Sequence, residues 1–305
     1  MLNKIIKIIT WGFFLLAVWI ILKELRIVGT PNLIILIKDT PLWVIGLAGI
    51  GIIINYFVLS GYDGLALKYI GKKLPYPDIL KTAIISFAFS NTTGHTYAAG
   101  GAIRYWFYVP QGVSGIEILK IILFETLTIL IGIVASFELS LILYPLPYSG
   151  LKAVGIGLGV LFTLYIGYIV IGRKKIHFKK ISLPAPNLGM TAEQIIVGLL
   201  DNIFLFIVFY TFLRYHLDAP LWESFSVFIL AQCIGFTAQV PGGLGIFEGS
   251  FLYFFPHDSA QKSGVLASLI LFRIFYYFVP FILAMLYLGI RFLQKKLSCH
   301  SPNPS

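Results

Sequence analysis

Apolar residues run along this chain in long blocks, at roughly 5–22, 41–59, 79–103, 116–143, 151–172, 194–213, 223–256 and 263–290. A helix needs ~20 apolar residues to cross ~30 Å of hydrocarbon, and these blocks match that length rather than the alternation of barrel strands. The polar positions gather between the blocks, and many are basic. Lys4 and Lys7 precede the first block, and Lys68, Lys72 and Lys73 follow the second. Arg173, Lys174, Lys175, Lys179 and Lys180 follow the fifth, and Arg291, Lys295 and Lys296 follow the last. Basic flanks mark the cytoplasmic side. The uncharged link 144–150 (Tyr-Pro-Leu-Pro-Tyr-Ser-Gly) and the short link around His216–Pro220 then mark the outside.

These sides constrain the path of the chain. Two full spans, 79–103 and 116–143, cannot both fit between an inner loop at 60–78 and an outer link at 144–150. One block must enter and return, and 79–103 is the interrupted one, with Asn91-Thr92-Thr93-Gly94 and Gly100-Gly101. The same count makes 223–256 return to its own side, and that block contains Pro241-Gly242-Gly243-Leu244-Gly245. Proline and glycine so dense cannot continue a helix, and the freed backbone groups must be buried in protein or line a wet cavity. The predicted fold is an all-α integral membrane protein: a polytopic bundle of about six full spans plus two re-entrant broken-helix hairpins in an inverted repeat. Residues 1–143 form the first half and 144–290 the second, including the basic loop 173–193; 291–305 is a polar cytoplasmic tail. Broken helices at matching places of two inverted halves point to a transporter's central site.

Composition narrows the class. The 305 residues are 58% hydrophobic and 12% charged, with mean hydropathy +0.89. The net charge of +10 lies between apolar blocks, which is not a nucleic-acid footprint. Cys233 and Cys299 have neither metal-ligand spacing nor a disulfide framework. Residues 1–22 resemble a signal peptide, but Lys23-Glu24-Leu25-Arg26 follows instead of a small-residue cleavage site, so the first span reads as uncleaved. No metal, nucleotide or nucleophile-elbow motif is present, and no cofactor is expected.

Ionisable residues inside spans cost ~2.5–3.5 kcal/mol each at a helix centre on the insertion scale, so each needs a reason. The candidates are Arg104, Glu125, Asp201, Glu248 and Arg273. Gly100 and Gly101 would let a head group approach the backbone beside Arg104, whose guanidinium matches phosphate oxygens. Arg104 could equally be an interfacial arginine whose charge reaches water. Arg273 lies deep in the last block, with Tyr276, Tyr277 and Pro280 on the same helical face. Gln194 and Asp201 share a face, and Glu125 has Thr128 three residues on. Glu248 follows the second break at the start of a new helix, as a proton carrier, a partner for Arg104 or Arg273, or a residue favoured by the helix dipole. Glu125 and Asp201 are candidates for proton or ion-pair roles. His95 lies in the first break and could titrate or serve as a structural hydrogen-bonder.

Three stretches carry a resemblance: Asn91–Arg104 with its Gly-Gly-x-x-Arg ending, Pro241–Glu248, and Leu271–Pro280 with Arg-x-x-Tyr-Tyr-x-x-Pro. Together they resemble the membrane region of the lysylphosphatidylglycerol synthase family and its stand-alone members, over about residues 5–290. The first stretch departs from the commoner family form, having Thr92, Thr93 and Gly94 where a proline precedes the glycines. In bifunctional relatives this region is a lipid flippase, and a following soluble domain transfers the amino acid. Only a short tail follows the last span here, so the resemblance implies lipid translocation or binding and not aminoacyl transfer.

The expected function is a flippase-like transporter of a lipid with an anionic, phosphate-containing head group. The head group would meet Asn91, Gly100, Gly101, Arg104, Pro241, Gly242, Gly243, Gly245, Glu248, Arg273 and Tyr277. The lipid is a phospholipid or, as with some relatives, a polyprenyl-linked lipid. The alternative is a non-transporting lipid-binding partner of a separate lipid-modifying enzyme; an intramembrane enzyme acting on a polyprenyl phosphate is a weaker third reading. The expected location is the inner membrane, multi-pass, with both termini cytoplasmic and self-association open. Arg104 is expected nearer the cytoplasmic surface and more tolerant of replacement than Arg273.

Overall fold

The computed structural model describes residue 35, residues 37–93, 99–172, 176–178, 181–183, 185–238, 245–258 and 261–298. The expected first span, 5–22, lies outside them, as do His95, Pro241, Gly242 and Gly243.

Helices dominate. In order they are α1 (Leu42–Tyr69), α2 (Tyr76–Thr93), α3 (Gly101–Tyr108), α4 (Gly115–Leu143) and α5 (Ser149–Gly172). A two-stranded antiparallel ribbon, β1 (Ile176–Phe178) and β2 (Ile181–Leu183), follows within the basic loop. Then come α6 (Leu188–His216), α7 (Leu221–Thr237), α8 (Ile246–Phe254), α9 (Lys262–Phe272), a π-turn (Arg273–Phe278) and α10 (Val279–Ser298). Among the described residues, five helices are long and apolar enough to cross a membrane: α1, α4, α5, α6 and the continuous 262–294 unit. They correspond to the five expected full spans that lie within the described residues. Their outer faces carry large apolar side chains such as Ile50, Ile53, Val160 and Leu164, which suits a lipid solvent. The chain is a polytopic helical membrane protein.

Local chemistry explains several boundaries. Ser114 and Glu117 cap α4 reciprocally: Ser114 Oγ accepts the Glu117 N–H at 3.3 Å, and Glu117 Oε2 accepts the Ser114 N–H at 2.7 Å. Asn187 Oδ1 accepts the Met190 N–H at 2.8 Å to start α6. The helix α1 runs ten residues past the apolar block that predicted it, through Ser60, Tyr62 and Asp63, because those polar side chains are buried against partners.

Each interrupted block enters and leaves at a single end of the bundle, and the two use opposite ends. Ahead of α2, Lys72 Nζ donates to the carbonyl of Gly112, just beyond α3, at 2.7 Å, and lies 3.5 Å from Glu117 at the start of α4. The two connections of the first hairpin, α2–α3, therefore touch. At the opposite end of α4, Tyr144 donates to Glu223, at the start of α7, at 3.0 Å. Four residues on, the Tyr148 ring meets that of Phe254, at the end of α8, with centroids 5.2 Å apart. The second hairpin, α7–α8, thus rises from the other end of the bundle. The 262–294 unit finishes beside the first hairpin's base, with Arg291 over the Phe107 ring at 5.4 Å.

Two apolar cores hold this arrangement. One, around Phe209, Phe228, Phe247, Phe251 and Phe272, fixes the second hairpin against α6 and α9. The other, around Tyr62, Phe87, Ile103, Tyr108 and Ile121, fixes the first hairpin against α1 and α4. Between them α4 and α6 cross at Gly132 and Gly198, where a Cβ on Gly132 would sit 2.5 Å from the Gly198 Cα. Only glycine permits so close an approach of two backbones.

Candidate functional site

The two buried arginines sit in different surroundings. Arg104 lies on α3, in the returning arm of the first hairpin. Its side chain is 0% exposed, so it is not an interfacial arginine reaching for water. The reason is Asp63, which sequence reading missed because the second apolar block ends at 59 and Asp63 falls beyond it. Arg104 Nε–H donates to Asp63 Oδ1 at 2.9 Å and Nη2 donates to Oδ2 at 2.8 Å, a two-bond fork. Tyr108, one turn along α3, donates to Asp63 Oδ1 at 2.8 Å. Glu125 of α4 brings a second carboxylate, with Oε1 3.0 Å from Arg104 Nε. The Phe87 ring covers the guanidinium at 4.9 Å.

The glycines ahead of Arg104 serve packing. A Cβ on Gly100 would lie 2.8 Å from Arg104 Nη1, and one on Gly101 would lie 2.7 Å from Ile122 Cδ1. Asn91 is half-buried near the end of α2. Its neighbour Thr92 donates to the carbonyl of Ala88 at 3.0 Å and reaches the carbonyl of Tyr277 at 3.2 Å.

Arg273 opens the π-turn. Its Nε–H donates to Glu248 Oε1, and the guanidinium stacks over Tyr277 at 4.6 Å and faces Phe247 at 5.7 Å. Of the two partners offered by the sequence, Glu248 thus takes Arg273. Glu248 stands in the first turn of α8, and its other oxygen, Oε2, accepts the Gly245 N–H at 2.8 Å. Gly245 has φ of 77°, a left-handed conformation that glycine adopts without strain. Pro280 explains the wide turn: it has no N–H to continue the ladder, and the helix widens just before it.

Asp201 of α6 belongs to a third group. Asn55 donates to Asp201 Oδ1 at 2.9 Å and to its carbonyl at 3.0 Å, and Tyr62 donates to Oδ2 at 2.9 Å. Tyr276, from the π-turn, donates to Asn55 Oδ1 at 2.6 Å. Gln194 turns instead to α4, donating to Thr128 Oγ1 at 2.8 Å. Sequence reading also missed Asn55, Tyr62 and Glu138. Glu138 of α4 has a buried Oε1 without a hydrogen-bond partner among the described residues, close to Gly155 and Gly159 of α5. The signal that could have found Glu138 is the one used for the others, a carboxylate within a predicted span; Asp63 lies past the block and gave no such signal.

One geometric relation joins these groups. Thr92 at the first hairpin's break and Glu248 at the second both attach to the same π-turn, through Tyr277 and Arg273. Tyr276, between those two residues, ties that turn to Asn55 and through it to Asp201.

No family model matches the chain. An uncharacterized protein, slr0712, of Synechocystis sp. is 29% identical over 289 residues, covering 90% of this chain and 88% of that one. The inner membrane protein YbhN of Escherichia coli is 24% identical over 302 residues, covering 95% of this chain and 94% of that one. The phosphatidylglycerol lysyltransferase of Bacillus subtilis is 23% identical over 261 residues, which cover 82% of this chain but 30% of the transferase. The chain is therefore related at modest identity to YbhN over nearly its whole length, and to phosphatidylglycerol lysyltransferases over about a third of theirs.

Proposed function

We propose that the protein is a flippase-like transporter that carries a lipid with a phosphate-containing head group across the inner membrane. The observation that carries this reading is the convergence of two oppositely entering hairpins on one π-turn bearing Arg273. Residues 1–143 and 144–290 then act as two inverted halves around that turn. A relationship to enzymes named for phosphatidylglycerol supports a phospholipid as the cargo. The chain's own residues supply recognition and not bond-making chemistry, so the protein is not an enzyme on this reading.

The two arginine centres differ in access. Arg104 and Glu125 have side chains 0% and 1% exposed, whereas Arg273 and Glu248 are 4% and 13% exposed. The second centre is the entrance in this conformation. A phosphate arriving there would replace Glu248 on the guanidinium, which suits paired oxygens. Gly245 and the neighbouring Pro241, Gly242 and Gly243 would admit the head group, while Tyr277 holds the far side of the arginine. Asn91, Gly100, Gly101 and Arg104 would receive it when the first hairpin opens. With the basic end in the cytoplasm, the second hairpin enters from outside.

Reconstitution in liposomes carrying labelled phosphatidylglycerol, phosphatidylethanolamine and a polyprenyl phosphate tests this. Transbilayer movement of at least one of them by the purified protein is expected. No movement of any would overturn the reading and favour a lipid-binding partner of a separate enzyme.

A further inference from the structure

The first arginine centre contains one more negative group than it can pair. Asp63 is fully served as a carboxylate, with two bonds from Arg104 and one from Tyr108. Glu125 is not. Its Oε1 lies 3.0 Å from Arg104 Nε, but that nitrogen has a single hydrogen, and it is already given to Asp63 Oδ1 at 2.9 Å. Glu125 Oε1 accordingly has no hydrogen-bond partner among the described residues. Both carboxyl side chains and the arginine are 0–1% exposed. A guanidinium keeps its proton in proteins, so three ionised groups here would leave one uncompensated negative charge in the membrane interior. Such a carboxyl group takes up a proton instead.

The groups packed around Glu125 give no second cation. From α1 come Asp63 and Tyr62, the latter engaged with Asp201. From α3 come Arg104 and Tyr108. From α6 comes the neutral Gln194, on Thr128, three residues along α4 from Glu125. Next to Glu125 on α4 itself, Phe124 stacks on Tyr69 at 4.5 Å.

We propose that Glu125 is an exchangeable proton carrier: it holds a proton while the first hairpin is closed on α4 and releases it when that hairpin opens, which couples lipid movement to proton movement. On opening, the O–H bond of the Glu125 carboxyl group breaks and the proton passes to water at the exposed face. The new carboxylate then turns to Arg104, whose Nη1 has no partner among the described residues. The coupling rests on the transport reading above; the proton site does not.

Two measurements separate them. In detergent, with no transport involved, dicyclohexylcarbodiimide attacks protonated carboxyl groups in apolar surroundings. Peptide mapping of the labelled wild type should place the adduct on Glu125, and an infrared band of a protonated carboxyl group should shift in D2O and vanish in Glu125→Gln. An unlabelled Glu125, or a band that ignores D2O or persists in the variant, overturns the proton site. In phosphatidylethanolamine vesicles with fluorescent phosphatidylglycerol, a gradient of one pH unit should drive the probe toward an about tenfold asymmetry for one proton per lipid. Glu125→Gln should show no gradient-driven asymmetry. Probe movement that equalises despite the gradient in the wild type overturns the coupling. No movement under any condition strikes the transport reading, while the adduct and the band still decide the proton site.

Discussion

Arg104 and Arg273 are one residue type under two different constraints, and replacing them should have different consequences. Removing Arg104 strands Asp63 without its fork and leaves Glu125 beside it. Breaking a buried pair by deleting one partner costs about 3–5 kcal/mol. Arg104→Ala is therefore expected to melt far below the wild type in detergent, and Arg104→Lys to recover only part of the loss because the fork to Asp63 is gone. The sequence suggested a tolerant residue near the surface; burial beneath Phe87 and the fork to Asp63 argue for a residue on which stability depends. Arg273→Ala is expected to insert normally and to lose lipid movement in liposomes, with Arg273→Lys intermediate. If Arg273 only secures Glu248, the alanine variant will instead be strongly destabilised, and no anionic lipid will raise the melting temperature of the wild type. Glu248, Arg273, Glu125 and Asp201 were legible as candidates because a charge inside an apolar block is conspicuous. Asp63 was not, since it sits just past an apolar block in a run that reads as a loop. Its role depends on Arg104, 41 positions away, and no local pattern reports such a contact.

Among elements, the crossing of α4 and α6 sets the frame on which both hairpins hang. Its two glycines meet backbone to backbone, so a side chain on either one must push the helices apart. Gly198→Val should lower the melting temperature markedly and weaken the Gln194–Thr128 hydrogen bond next to it, whereas Gly157→Ala, with nothing within 4 Å of its added Cβ, should be neutral. Thermal melting of the two purified variants checks this contrast. The long spans were readable from apolar length alone, and the hairpins from counting loop charges. The π-turn was not, because period-3.6 reasoning puts Tyr277 four residues beyond Arg273 in either geometry. What distinguishes the two is Pro280 and the carbonyl that Thr92 reaches from a different segment.

For the molecule as a whole, the separation of its two ends is the testable property. Lys68, Lys72 and Arg291 gather where the first hairpin is rooted, with Lys68 paired to Glu193 at 2.7 Å. Tyr144, Tyr148 and His216 lie at the other end, where Gly264 packs on His216 and Leu217. In a background lacking Cys233 and Cys299, Lys72→Cys should react with an impermeant maleimide only in inverted vesicles, and Pro147→Cys only in intact cells. Labelling of both from one side would remove the opposed entry of the hairpins.

The π-turn has a mechanical consequence of its own. Relative to a regular helix it carries one extra residue, and an α-helix advances about 100° per residue. If that extra residue migrates along the span, every side chain it passes swings by about that angle while the ladder re-forms behind it. Arg273 opens the turn and Tyr277 lies near its end, so such a slip would release Glu248 and Thr92 in succession, like a zip with one tooth too many. Deleting Val279 should take out the extra residue and fix one register. The shortened protein is expected to fold, with its melting temperature near that of the wild type, and to move no lipid in liposomes.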